Sequence, residues 1–463
     1  MIAQATTIDA YKLMHEGVLA LAQVEANGMK IDLNYLDNAL KENSKKIAVL
    51  SEEIKSDKVV KVWKKRFGTK TNLDSGDQLG KVLFDSLGYE CKEKTDKGKP
   101  KTDIGSLETL DIPFVKKYLY LKKLKKAQAT YLKGIKRETC NGFLHPVFNL
   151  HIAQTFRSSS DSPNFQNLPI RDPMMAELIR RCFIPRKGGR IVETDYSGIE
   201  VHAAAWYHKD PVMLSYICDP SKDMHRDMAA QCYKLSTKQV TKLIRYCGKN
   251  KFVFPQFYGD WYLSCAPALW SSIDQLKLET AKGTPLKEHL AKKGIYDLGS
   301  LNPKVSPVKG TFVHHIMEVQ EDFWGRRFKI YTDWKNDWWE SYRRTGKFQT
   351  LTGFEISGWM KRNEVINYPV QGVAFHCLLW SLINLQKQLK KYKMKTKIVG
   401  QIHDSIVSDV PDKEFKDYLE ISNEVMTKKI VKHWPWIITP LEVEAEASPV
   451  DGSWFEKKAI KVA

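Results

Sequence analysis

Apolar residues recur at helical spacing through residues 1–56, broken by Asn27-Gly28 and the brief alternation Met29-Lys30-Ile31-Asp32. Ser75-Gly76-Asp77-Gln78 predicts a capping box that opens a helix over 78–87. Residues 91–103 are polar and carry Gly and Pro, which predicts a surface loop. From 114 to 137 one stripe holds Phe114, Tyr118, Leu121, Leu124, Tyr131 and Ile135, the mark of a long amphipathic helix. The character changes after residue 140. Runs at 143–150 and 190–195 predict strands, 199–387 is helical in pattern apart from a loop at 298–309, and 395–410 predicts a β-hairpin. Strands thus flank a large helical block, as in one domain split in sequence with another inserted into it. The Trp-rich stretch 323–342 predicts an amphipathic helix that packs its rings inward, ahead of a base-stacking surface. His314-His315 occupies adjacent helix positions, which do not face each other, and reads as structural.

Charge adds a partner class. Lys and Arg number 73 against 54 Asp and Glu, a balance of +19 that favours a polyanion, nucleic acid before an anionic membrane surface. Within 114–137 the polar faces hold nine Lys or Arg and no acid, and 58–70 is a second basic segment. Hydrophobic residues at 43% are ample for a buried core. No apolar run is long enough to span a bilayer, and the first residues carry no secretory or transit pattern, so the chain is expected to stay where it is made. The eight cysteines are scattered without a C-x-x-C pair, which predicts reduced thiols and leaves any metal to oxygen ligands. A phosphate-binding P-loop is absent.

Three segments carry candidate chemistry. In Arg190–Glu200 a strand ends at Asp195 and a Gly-containing turn leads into a helix, which places a carboxylate at a sheet rim where a hard cation binds. Alone, Asp195 reads as a helix N-cap. In Lys397–Val407 apolar runs flank a His403-Asp404-Ser405 tip; alone this is an ordinary Asp-Ser turn. Two rim acids on one split sheet suit a pair of Mg²⁺ ions driving in-line phosphoryl transfer. Between them, Arg245 and Lys249 share a helix face and suit a triphosphate, with Phe252, Phe254, Phe257 and Tyr258 one turn further on.

In this order the segments resemble motifs A, B and C of family A DNA polymerases, the bacterial polymerase I-like group also used by many phages. Thr155–Ser160, Pro163–Pro169, Ile179–Ile184, Asp223-Met224-His225 and Asn367–Gly372 also have counterparts in that family. The resemblance runs from about Glu25 to the C-terminus. It implies an α+β right-hand polymerase: an N-terminal segment and thumb over 1–140, an antiparallel palm split over 141–215 and 366–463, and helical fingers over 216–365. It implies two Mg²⁺ ions on Asp195, Asp404 and the carbonyl of Tyr196. His225, Arg245 and Lys249 would bind the phosphates of a dNTP, and Lys249 would protonate the leaving group. Glu200 would crowd a ribose 2′-OH, Phe254 would meet the sugar and Tyr258 would stack at the template side. Arg157, Asn164, Gln166, Asn367, Gln371 and His403 would contact primer-template DNA.

Three departures stand out. The stretch from Lys249 to Tyr258 is one residue longer than usual, which predicts a bulge and makes Phe254, rather than Val253, the ring at the sugar. Gly198 stands where many relatives have Gln. Ser405 stands where most have Glu, and a His-Asp-Ser tip is also similar to that of single-subunit RNA polymerases. That makes RNA synthesis the alternative activity, with an inactive DNA-binding protein the third. The resemblance opens at the lead-in to the thumb, so no attached 3′–5′ exonuclease is expected. A separate exonuclease or processivity subunit would be the partner, and the host cytoplasm the location if the gene is phage-encoded.

Overall fold

The computed structural model describes residues 5–91, 94–95 and 98–460. Its centre is an antiparallel five-stranded sheet made of β1 (Gly189–Tyr196), β2 (Lys397–Ile402), β3 (Ser405–Pro411), β4 (Val443–Ala447) and β5 (Lys458–Ile460), in the order β5-β4-β1-β3-β2. The fold is α+β, and the strands come from two stretches of sequence separated by a helical block. β1 alternates as a half-buried strand should. Val192, Thr194 and Tyr196 point into the core, where the Tyr196 hydroxyl meets Ser381 Oγ at 2.8 Å. Glu193 and Asp195 take the opposite face.

Helices cover the sheet. α1 (Thr7–Asn27) lies against β2 and α11 (Arg362–Lys391); Asn27 Nδ2 donates to Ile398 O at 2.8 Å. α2 (Leu33–Ser56) and α3 (Pro113–Lys126) close over a smaller core of Trp63, Val82, Leu83, Val115 and Tyr118. The inserted block holds α4 (Ile199–His208), α5 (Met224–Cys232), α6 (Lys242–Gly248), α7 (Phe254–Phe257), α8 (Tyr262–Gln275), α9 (Phe312–Asp322) and α10 (Lys329–Thr345). Among the described residues no helix is long and apolar enough to cross a membrane.

Several local expectations need correction. The capping box at Ser75 is half made: its hydroxyl accepts from Gln78 N, but the Gln78 amide is taken by Trp63 Nε1 and Asn72 N. The helix starts earlier, at Gly76–Gly80, and continues as a π turn over Lys81–Ser86. The helix read at 114–137 starts at Pro113 and carries a π turn at Ala127–Leu132. The run 143–150 splits into Phe143–Leu144 and Val147–Asn149, which pair in different sheets. The loop read at 91–103 lies partly outside the described residues; its described part has an isolated bridge, Lys94 to Pro100. Within the helical block a hairpin appears, Lys347–Gln349 with Glu355–Ser357, because Phe348 and Ile356 bury against Tyr342. The Trp-rich stretch is a π turn followed by α10, with Phe323 and Tyr331 fully inside.

Candidate active site

Strand register brings the two rim acids together. Ser405 pairs with Asp195 across β1 and β3, and Asp404 precedes Ser405 in the two-residue turn that follows β2. His403 takes φ 51° in that turn, and Tyr196 N donates to Asp404 O at 3.3 Å. A buried amide holds the turn: Gln401 Nε2 donates to His403 O at 2.7 Å, while Gln401 Oε1 accepts from Ser158 Oγ at 2.6 Å and Gln166 Nε2 at 2.7 Å. Gln166 is therefore engaged beneath the turn, and Asn164 caps its own short helix by accepting from Asn167 N at 3.1 Å. Neither lines the cavity described below, whereas Glu200, Phe254, Tyr258, Asn367, Gln371 and Asp404 do.

The electrostatics favour a cation. Burial, then the Asp404 carboxylate, push Asp195 well above the usual carboxylate range, and burial pushes Asp404 up. Asp195 Oδ1 is buried with no hydrogen-bond partner. A carboxylate in that state binds a hard divalent ion or keeps a proton. The residues present thus fit such an ion through oxygen donors. Among the described residues no group of three or more His, Cys, Asp or Glu side chains is arranged to hold a metal ion. Asp195 and Asp404 are oxygen donors of that kind, and Glu444 lies opposite Asp195 on β4.

The sequence reading missed the neighbours of this pair. Glu193, two residues before Asp195 and so on its strand face, meets Lys457 Nζ at 2.6 Å and Trp454 Nε1 at 3.1 Å. Ser405 Oγ donates to Glu193 Oε1 at 3.3 Å and to Ile402 O at 3.0 Å. The strand period alone would have flagged Glu193; nothing local to residue 457 would have flagged its lysine.

A cavity of about 210 Å³ opens beside the acids, lined among others by Glu200, Phe254, Tyr258, Asn367, Gln371 and Asp404. Glu200 joins three segments: it accepts from Arg157 Nη1 at 3.1 Å and from the Tyr258 hydroxyl at 3.1 Å. The extra residue after Lys249 is absorbed as a π turn, Lys249–Val253. Val253 is thereby fully buried, and Phe254 faces the cavity. The Tyr196 side chain lies under the sheet and leaves its backbone to the site.

A second hollow, about 450 Å³, is lined by Lys222, Asp223, His225 and Arg245. Arg245 Nε meets Asp223 Oδ2 at 2.6 Å. The His225 ring packs edge-on against Phe254 at 5.6 Å, and its Nδ1 is buried without a partner. Burial, then Lys249 and Arg245, lower His225 to about 4, so the ring is neutral at pH 7. Lys249 Nζ lies 5.1 Å from the Phe254 ring centroid. Three nitrogen-bearing groups thus converge on the wall next to the acids. His403 has its pKa lowered chiefly by burial, with Arg157, Asp404 and Glu200 within electrostatic reach.

A family model described as DNA polymerase family A matches residues 37–274 and 326–454. DNA polymerase I of Lactococcus lactis subsp. cremoris is 28% identical over 443 residues, covering 95% of this chain and 45% of that protein. The thermostable DNA polymerase I of Thermus aquaticus is 28% identical over 440 residues, covering 92% and 46%. The chain thus spans less than half the length of these relatives. Among solved structures, the POL domain of Pol1 from M. smegmatis, in complex with DNA primer-template and dNTP, has a TM-score of 0.71 at 24% identity. That match covers 95% of this chain and 70% of the other, and the likeness is one of fold.

Proposed function

The chain belongs to DNA polymerase family A, and from that premise we propose that it is a template-directed DNA polymerase that adds deoxynucleotides to a primer 3′-OH. The observation that carries the reading is Asp195 beside Asp404, with one buried, unpartnered carboxylate oxygen, at the mouth of a cavity walled by Glu200, Phe254 and Tyr258. Asp195, Asp404 and the Tyr196 carbonyl would hold two Mg²⁺ ions. When bound, these supply charge neutralisation for in-line phosphoryl transfer. Arg245 and Lys249 bind the triphosphate, Arg245 exchanging Asp223 for phosphate oxygens. Neutral His225 donates one N–H without adding charge. Lys249 Nζ gives a proton to the leaving pyrophosphate. Arg157 and Gln371 read the minor-groove acceptors that every correct pair presents, and Asn367 and His403 line the duplex end. Asn164 and Gln166 serve the DNA by fixing the loop that carries Arg157.

In this reading residues 216–365 are fingers, 141–215 and 366–463 the palm, and the thumb lies within 1–140. A cytoplasmic setting, phage-like replication or repair, and a separate exonuclease or processivity subunit belong to the same proposal. Its test is extension of a primed DNA template with Mg²⁺, comparing dNTPs with NTPs. The expected result is a preference for dNTPs of about a thousandfold, roughly 4 kcal/mol of barrier. Glu200→Ala should relax that preference and cost some dNTP activity. Equal use of NTPs by the unaltered chain would overturn the DNA reading and make Ser405 the better guide.

A further inference from the structure

Among the described residues the most exposed large hydrophobic one is Trp359, at 86%. Exposure of a whole indole is unfavourable in water, so an indole held rigidly in the open calls for an explanation. Its mount is firm. Gly358 O accepts from the Tyr342 hydroxyl, Met360 is buried, and Trp338 Nε1 donates to Val365 O at 3.2 Å. The ring therefore projects from a packed corner made by the hairpin and the start of α11.

Its neighbourhood is basic and close to the site. Lys361 and Arg362 follow after Met360 and are exposed, with Arg362 Nη2 donating to Asn336 Oδ1 at 2.6 Å. The one acid in this turn, Glu364, is spent on Lys361 N at 2.7 Å. Asn363 abuts the turn that carries Tyr258: a Cβ placed on Gly259 would lie 2.7 Å from Asn363 Nδ2. Trp359 precedes Asn363 by four residues, so it lies within about 14 Å of it. Two more rings stand open beside that turn, Tyr258 at 55% and Trp261 at 46%.

Resting on the proposed polymerase reading, we propose that Trp359, with Lys361 and Arg362, is a docking platform for the unpaired template strand ahead of the nascent pair. A base stacks on the indole, and the two cations meet its flanking phosphates. Single-stranded nucleic acid is the occupant because a lone ring flanked by cations is the unit that such strands use: every base has a π-face and every link a charge. A protein partner would need a contiguous apolar patch, but Glu355, Ser357 and Gly358 beside the ring are exposed and not apolar.

The test uses the full chain on primer-templates that carry 2-aminopurine at successive positions of a long 5′ overhang. Wild type should quench the probe at one or a few overhang positions. It should also bind the long overhang more tightly than a single-nucleotide overhang. Trp359→Ala should abolish the quench and weaken long-overhang binding by roughly tenfold. Affinity and extension on the single-nucleotide overhang should stay unchanged. Trp359→Phe should keep most of the effect, and K361E/R362E should weaken long-overhang binding and make its loss with salt shallower. Wild type that extends primers while Trp359→Ala and K361E/R362E match it on every overhang would overturn the platform alone. Wild type that neither binds nor extends primed DNA would overturn the polymerase reading itself.

Discussion

At the scale of single residues, Asp195 carries opposed demands of stability and chemistry. Burial and the Asp404 charge make its native state hold a proton well above the usual carboxylate range. Between the unfolded value of about 4 and that raised value the folded chain binds the extra proton. Stability from this group is therefore greatest at low pH and falls as pH rises through the window. Asp195→Asn should flatten that slope and raise the urea midpoint at pH 7 in EDTA, by ~1–3 kcal/mol of unfolding free energy. The same substitution should abolish primer extension and leave primer-template binding within a few-fold. Added Mg²⁺ should stabilise the wild type and not the variant. A variant less stable than wild type in EDTA would mean that the Asp195 carboxylate is satisfied in the fold. The candidate residues are legible in the sequence: motif order points to Asp195, Asp404, Glu200, Arg245 and Lys249. Their clamps are not. Gln401 and Ser158 sit 243 positions apart and share a 2.6 Å hydrogen bond that no local pattern encodes.

At the scale of elements, the π turn at Lys249–Val253 shows how an inserted residue can be absorbed. A regular helix turns about 100° per residue, so one extra residue would swing everything beyond it off its face. A π turn takes up the extra residue in one wide loop of the backbone and restores the phase. Phe254 and Tyr258 after it therefore still face the cavity beside Asp404. Deleting Asn250 should leave a regular helix in the same phase and keep dNTP incorporation within about tenfold, since only the wide turn is lost. Deleting Gln256, between Phe254 and Tyr258, should rotate Tyr258 away from Glu200 and abolish incorporation. Single-turnover rates of the two deletions decide this; equal losses would show that the bulge itself is required. The hairpin at 347–357 was hidden for a different reason. Its strands are three residues each, and their burial depends on Tyr342 and Met360 from the flanking segments.

For the whole molecule, the excess of positive charge is real but partly spent. Of the nine cations read on the 114–137 helix, six meet acids from the fold around them. Lys116 pairs with Asp111, Lys117 with Glu53, Lys123 with Asp172, Lys125 with Asp74, Lys136 with Asp37 and Arg137 with Glu138. Such exposed pairs add little stability, about 0–1 kcal/mol each. They do reduce the charge left for a phosphate backbone. Lys126 and Lys133 are exposed with no ion pair among the described residues, and Lys122 leans over the Tyr118 ring at 4.9 Å. Reversing these three to Glu should lower the log–log salt slope of primer-template binding by about 2 to 3. Reversing Lys116, Lys117 and Lys125 should change it by less. Anisotropy titrations across a salt series measure both, and equal slopes for the two triple variants would show that pairing does not decide which cations meet DNA.

The sequence by itself determined the class of protein, the order of its motifs, the split of the sheet around a helical block and the pair of rim acids. The class rests on the resemblance to family A polymerases, whose motifs, like the separate strands and helices, are each short local stretches of sequence. Only the tertiary structure decided the state of those residues. Asp195 is unpaired because strand register sets it beside Asp404. Glu200 is clamped because Arg157 and Tyr258 arrive from two other segments. Glu193 is neutralised by Lys457 from the last strand's approach, 264 positions later. Burial and hydrogen bonding are properties of packed neighbours, and packing brings together positions whose separation in sequence carries no period to read.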